Sequence, residues 1–270
     1  MTLNSNNHIA FGVCRLSLVP VRDDAKHSSE MVTQLLFGDH YEVLEQSKDK
    51  KWLRIKINFD AYEGWIDATQ HHDIPVEYFN YLNRAEFKIT TDLISSMLYN
   101  KRPQLILMGS MIPISSSELF KMEEQFAFNG EAKNLGQKRE FDYLKNTALK
   151  YLNSPYLWGG KTPVGIDCSG FVQMVYKITG YQLHRDAGQQ VLQGKKVGSL
   201  ADALPGDLAF FKNTKNKTCH VGIMLEAGQI IHASGKVRID MINDAGIVHQ
   251  DSKKLSHQLQ SIRRVLTETA

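Results

Sequence analysis

The feature that most limits what this chain can fold into is a change of hydrophobic period near Glu140. From about residue 9 to 70 apolar and polar residues alternate, as in HYEVLEQ and WLRIKI, the period of half-buried strands. Turn signals at FGD and SKDKK, and the short run YEGWID, keep those strands short, which predicts a small β-barrel. Residues 71 to about 135 read as a second, degraded small β domain: VEYFNYLN as a short helix, QLILMGSMIPI as strand and turn, SELFKMEEQFAFNG as strands. The polar, glycine-containing NGEAKNLGQKR has the texture of a linker. Beyond it, REFDYLKNTALKYLN sets Phe141, Leu144, Ala148, Leu149 and Leu152 at the spacing of an amphipathic helix. A loop, SPYLWGGKTPVGID, leads to a second helix, CSGFVQMVYKITG, with Phe171, Val175 and Ile178 on one face and Gly180 as its stop. The strand candidates DLAFF, HVGIML, QIIHASG and LQSIRRVL follow, and helices before a sheet predict an α+β domain.

Composition narrows the function. A formal net charge of +3 over 270 residues, without basic clusters interleaved with aromatics, gives no footprint for nucleic acid. Three cysteines, Cys14, Cys168 and Cys219, are too few and odd in number for a disulfide framework and suit a reducing compartment. The start MTLNSNNHIAFG lacks a basic segment and a long apolar run, and LILMGSMIPI is too short to span a bilayer. The expectation is a soluble cytoplasmic monomer with no membrane or nucleic-acid partner and no cofactor.

One stretch carries candidate chemistry. GIDCSGFVQMVY puts Cys168 at the polar head of a helix, where unpaired backbone N–H groups and the helix dipole favour a thiolate. A thiol nucleophile needs an imidazole on a rigid element. Of ten histidines, His8, His71, His72, His249 and His257 lie in polar stretches that read as solvated; His27 and His40 belong to the first small domain, and His184 lies just past the helix. His220, opening HVGIML, and His232, in IIHASG, remain, on two strands joined by a turn at EAGQ. Cys168 then attacks a carbonyl, His220 takes the thiol proton and returns it to the leaving amine, and His232 orients the His220 ring. The Cys168 backbone N–H helps hold the oxyanion. The bland alternatives are a packed thiol and satisfied core histidines. A zinc site from Cys168, Cys219, His220 and His232 is disfavoured, because residues 219 and 220 point to opposite faces of a strand and no Cys-x-x-Cys pair exists.

YLWGGKTPVGIDCSGFVQMVY, ALPGDLAFF, HVGIML and IIHASG, in that order, resemble the NlpC-type (NlpC/p60) cell-wall cysteine peptidases over about residues 140–267. That resemblance implies a papain-like fold and a Cys–His–His site at Cys168, His220 and His232. It implies that Tyr156 lies beside the cysteine and assists the oxyanion, that Asp167 and Ser169 contact substrate, and that Asp167 holds a free amine. The pattern VPVRDDAKHSSEMVTQLLFGDHYEVLE, KWLRIKI, YEGWID is similar to bacterial SH3-like domains. Two such modules ahead of the peptidase, 1–70 and 71–136 before 137–270, look like γ-D-glutamyl-diamino-acid endopeptidases acting on murein peptides. In that group the first SH3-like domain limits the cleft to peptides with a free N-terminal L-Ala; Glu30 and Tyr62 stand where selective residues are expected. Arg185 in HRDAGQQ is a candidate for a substrate carboxylate, with a structural salt bridge as the alternative. Relatives often carry a small hydroxyl residue where this chain has Ala187. The rival functions are a non-catalytic murein-binding protein and an amidase or acyltransferase on the same fold.

Overall fold

The computed structural model describes residues 10–113 and 126–266. The chain forms two compact units, Met1–Asn134 and Leu135–Ala270.

The first unit begins with β1 (Ala10–Val13), β2 (Leu18–Arg22), β3 (Met31–Leu36), β4 (His40–Gln46), β5 (Trp52–Ile57), β6 (Glu63–Asp67) and β7 (Asp73–Ile74). They make one antiparallel sheet in the order β3-β2-β6-β5-β4-β1-β7. The alternation seen in the sequence is what buries them: Leu53, Ile55 and Ile57 of β5 meet Val19, Val21, Leu35, Tyr41, Val43 and Ile66 in a core that also holds Cys14. Then come α1 (Val76–Leu82), β8 (Phe87–Thr90), β9 (Ile94–Tyr99), β10 (Arg102–Leu107), β11 (Met111–Pro113), β12 (Phe126–Asn129) and β13 (Ala132–Asn134). These strands form two three-stranded sheets, β10-β9-β12 and β11-β8-β13. Met97, Ile106 and Ile112 pack with Phe37 of the preceding segment. Residues 117–125 of the expected SELFKMEEQFAFNG strands lie outside the described residues; β12 covers the rest of that stretch but for Gly130.

The second unit opens with α2 (Phe141–Lys150), burying Leu144, Thr147 and Ala148. A small hairpin, β14 (Lys161–Thr162) and β15 (Gly165–Ile166), sits inside the expected loop. α3 (Cys168–Thr179) is buried along its whole length and ends on Gly180, whose φ of +96° is the left-handed cap that glycine adopts without strain. After α4 (Ala187–Gln190) come β16 (Lys195–Val197), β17 (Leu208–Lys212), β18 (Thr218–Met224), β19 (Gln229–Ser234), β20 (Lys236–Asn243), β21 (Gly246–Val248) and β22 (Leu255–Arg264). The order β22-β17-β18-β19-β20-β21 closes on itself because β21 pairs with both β20 and the first half of β22. The second half of β22 takes β16 on the same edge. Closure removes the free edges of six strands and creates an interior, filled by Ala209, Phe211, Met224, Ile230, Ile242, Ile247 and Ile262. No helix among the described residues is long and apolar enough to cross a membrane.

Candidate active site

Cys168 is the first residue of α3, and the preceding aspartate decides where that helix starts. Asp167 is extended (φ −93°, ψ 177°), and the Gly170 N–H donates to its Oδ1 at 2.6 Å, a side-chain N-cap. A methyl at Gly170 would run into the Gly160 carbonyl, so glycine there lets the incoming loop lie against the helix end. The N–H groups of Val221 and Ser169 point at the Cys168 sulfur. Val221 follows His220 on β18, and both stand beyond the stretch, Gly222–Met224, over which β18 pairs with β19. The sulfur thus meets the sheet where two strands diverge.

Burial works against an anionic sulfur. Burial, and then the Asp167 charge, push it up to about 12, against the opposite pull of the Val221 N–H, Arg185 and the Ser169 N–H. Burial thus opposes the thiolate that the helix N-terminus favours, the residue being 6% exposed. His220 shifts the other way, well below the ordinary imidazole value, by burial first and then by His232 and His257. Both shifts favour the uncharged forms, a thiol and a neutral imidazole.

The structure brings the two expected histidines together and adds a third member to the chain. His220 Nε2 and His232 Nδ1 are 2.8 Å apart, and His232 Nε2 is 3.0 Å from Asp240 Oδ2. Gly222 faces His232 across the strand pair; a Cβ there would stand 2.9 Å from that of His232. Burial alone would raise the Asp240 carboxyl. Its hydrogen bonds from His232, the Gln250 N–H and Arg238 outweigh that and hold it well below the usual carboxylate range. An ionised Asp240 can only accept, so a neutral His232 holds its proton on Nε2 and leaves its Nδ1 bare. His220 Nε2 must then be the donor to that nitrogen, which leaves His220 Nδ1 unprotonated and able to take a proton. One carboxylate, through two rings, selects the base tautomer.

The residues expected around this core fall into three groups. Tyr156 is half-buried beside it: burial, then the charges of Cys168 and Asp167, raise its phenol, with Arg185 opposing. Asp167, Ser169 and Arg185 are bound to one another. Arg185 Nη1 donates to Asp167 Oδ1 at 3.0 Å and to Ser169 Oγ at 2.9 Å, and Nη2 donates to Asp167 Oδ2 at 2.6 Å. The Gly159 N–H donates to the same Oδ2 at 2.8 Å, and Ser169 Oγ donates to Oδ1 at 3.3 Å. Arg185 is 1% exposed, so its expected contact with a substrate carboxylate is replaced by a buried, bidentate ion pair. The carboxylate oxygens of Asp167 are equally engaged, and its charge is offset by the guanidinium; its observed work is to cap α3 and anchor Arg185. Ala187 begins α4 and is buried. Glu30 and Tyr62 belong to the first unit, Glu30 exposed just before β3 and Tyr62 partly buried against the barrel core.

Sequence reasoning missed Asp240 and His257. The stretch KVRIDMIN alternates, but Val237 and Ile239 form its apolar row, which puts Asp240 on the row a one-sided sheet would leave in water. Closure of the barrel instead turns that row inward, burying Asp240 (2% exposed) with Ile242, while Met241 on the other row stays exposed. For His257 a signal existed: Leu255, His257 and Leu259 alternate with Ser256, Gln258 and Gln260. Among the described residues, the ring nitrogens of His220, His232 and His257 cluster within 4.8 Å of one another.

A cysteine at a buried helix head, an imidazole–imidazole–carboxylate chain on a closed antiparallel barrel, and helices packed outside it resemble the papain-like cysteine peptidase fold. Residues 153–255 match the NlpC/P60 family and residues 21–70 the bacterial dipeptidyl-peptidase SH3 domain. The γ-D-glutamyl-L-lysine dipeptidyl-peptidase of Bacillus subtilis is 28% identical over 229 residues, 74% of this chain and 71% of that protein. Dipeptidyl-peptidase 6 of Lysinibacillus sphaericus is 27% identical over 230 residues, 76% of this chain and 81% of that one. The crystal structure of an NlpC/P60 family protein from Bacillus cereus superposes with a TM-score of 0.77 at 20% identity, covering 96% of this chain and all of that one, a likeness of fold. The chain therefore carries an NlpC/P60 domain of the cysteine peptidase type, with a bacterial dipeptidyl-peptidase SH3 domain ahead of it in the sequence.

Proposed function

We propose that this protein hydrolyses the γ-D-glutamyl–diamino acid bond of murein peptides that carry a free N-terminal L-Ala, in the recycling of cell-wall peptides in the cytoplasm. The observation that carries the chemistry is the chain from Asp240 through His232 to His220, which ends in a bare Nδ1 on the strand against which Cys168 rests. The names of the relatives supply the bond. Cys168 Sγ attacks the γ-carbonyl carbon of D-glutamate as His220 takes the thiol proton. The carbonyl oxygen becomes an oxyanion, which the Cys168 N–H and Tyr156 stabilise. His220 then protonates the leaving amine of the diamino acid, and a thioester remains. Water, deprotonated by His220, adds to that thioester; the thiolate leaves, is reprotonated, and the dipeptide is released as an acid.

Glu30 and Tyr62 are read as substrate-binding residues, Glu30 as a carboxylate for the free amine, since the Asp167 charge is already paired. Residues 71–136 are read as a second SH3-like module. The test compares L-Ala-γ-D-Glu-meso-diaminopimelate, its Lys analogue and their N-acetylated forms, with products identified by mass. Release of L-Ala-D-Glu from the free peptides, and its loss with the acetylated ones, is expected. Equal cleavage of both forms removes the amine selectivity, and cleavage at any other bond removes the assignment.

A further inference from the structure

His257 lies outside the chain from Asp240 to His220 and outside the four motifs that carry the family resemblance, yet it stacks on the proposed base. Its ring is 4.1 Å from that of His220, centroid to centroid, with the planes at 22°. It meets His232 edge-on at 5.7 Å and 81°, and Phe211 at 6.0 Å and 65°. The strand register explains the convergence. Phe211 of β17 lies opposite both His220 of β18 and Leu259 of β22. His257 sits two residues before Leu259, opposite Ile247, which belongs to the interior core. So His220 and His257 project from strands one apart towards the same end of the barrel interior. The near-parallel planes of the two rings send their in-plane lone pairs side by side rather than towards one point. That arrangement suits stacking and is a poor start for chelating an ion.

We infer that His257 is a positioning residue for the reaction: its ring covers one face of the His220 imidazole and holds it edge-on to His232, so that Nδ1 stays aimed at the Cys168 side. This rests on the reading of His220 as the base. His257 itself remains neutral above about pH 4, its imidazole lowered by burial and by His232, with Asp240 opposing. The titratable and charged groups around His220 are then His232 from β19, Asp240 and Arg238 behind it on β20, His257 from β22, and Cys168 with Asp167 and Arg185 from the helix side.

Three variants test this in the full-length protein with the free tripeptide as substrate: His257→Ala, His257→Phe and His220→Ala. His257→Ala is expected to lower kcat by roughly ten- to a hundredfold, the scale for a misplaced reacting group, with KM within about twofold. It should also move the acid limb of kcat/KM to higher pH, because uncovering His220 relieves the desolvation that depresses it. His257→Phe keeps the stack and should recover most of kcat. If kcat is unchanged in His257→Ala while His220→Ala is inactive, the inference fails and the catalytic reading stands. If Phe and Ala lose kcat alike with no shift of the acid limb, the ring has a merely structural role and the inference fails. If His220→Ala is active, the reading beneath it fails.

Discussion

Two cysteines, one in each unit, are both buried and both raised by burial, and only one lies against a strand that bears an imidazole. Cys14 is fully buried in the apolar core of the first unit, its thiol donating to the Leu16 carbonyl at 3.3 Å and pushed up to about 12 by burial. Cys168 is almost as buried, and burial pushes it up to about 12 as well. Depth and resting acidity therefore do not separate nucleophile from hydrophobe here. What differs is the neighbourhood. Cys14 is packed by Val19, Val21, Leu35 and Tyr41, groups with nothing to accept a proton at neutral pH. Cys168 has backbone N–H groups aimed at its sulfur and lies against the strand of an imidazole whose tautomer is chosen for it. Nucleophilicity at such a site belongs to the proton acceptor and to the developing charge it stabilises, more than to the free thiol.

The largest effect that sharpens this contrast is deletion of each sulfur. Cys168→Ala is expected to lower kcat by about 10⁴-fold or more, whereas Cys14→Ala leaves turnover intact; peptide hydrolysis followed by chromatography reads both. An active Cys168→Ala protein would end the distinction. Next is the far end of the chain. Asp240→Asn can donate to His232 Nε2, which reverses both tautomers and puts the proton on His220 Nδ1. A fall in kcat of roughly 10²- to 10⁴-fold with little change in KM is expected, and an unchanged kcat would dissociate the carboxylate from the base.

A third effect is on folding. Arg185→Ala leaves Asp167 buried without its ion partner and should cost about 3–5 kcal/mol of stability in urea unfolding. A rise in KM with unchanged stability would instead return Arg185 to the substrate. The smallest effects are in pH. The folded state depresses His220 and His257 below 6.5, the latter to about 4, so the unfolded chain binds more protons between those values. Stability should fall as pH drops from about 6.5 towards 4. The two raised thiols act at the other end: their contribution is complete below 9.0, the ordinary thiol value, and is lost as pH rises from there towards about 12. Melting temperature against pH should show both slopes, and replacing either cysteine by Ala should flatten the alkaline one.

Local signals were legible along the chain wherever one residue type has few physical uses. The alternation of WLRIKI became β5, the apolar face of CSGFVQMVYKITG became α3, and Gly180 stopped it in the left-handed conformation. His220 and His232 were found by asking which imidazoles stand on strands. The fate of Asp167, Ser169 and Arg185 was not legible. Residues 167 and 185 are separated by a whole helix, and only its packing makes Arg185 a partner for the aspartate rather than for a ligand. His257 was set aside because LSHQLQ is polar in one dimension, although in the barrel one row of that strand faces inward.

Periodicity, caps and turns act over a few residues, so the amino-acid order alone determined where the strands and helices lie, that a thiol stands at a helix head, and which two histidines are strand-borne. Ring closure by β21 and β22 decided the rest. It gave the sheet an inside, buried Asp240 behind His232, and folded His257 back over His220. The His257 contact joins strands far apart in the chain, and the energies of both contacts depend on desolvation, which only the assembled interior imposes.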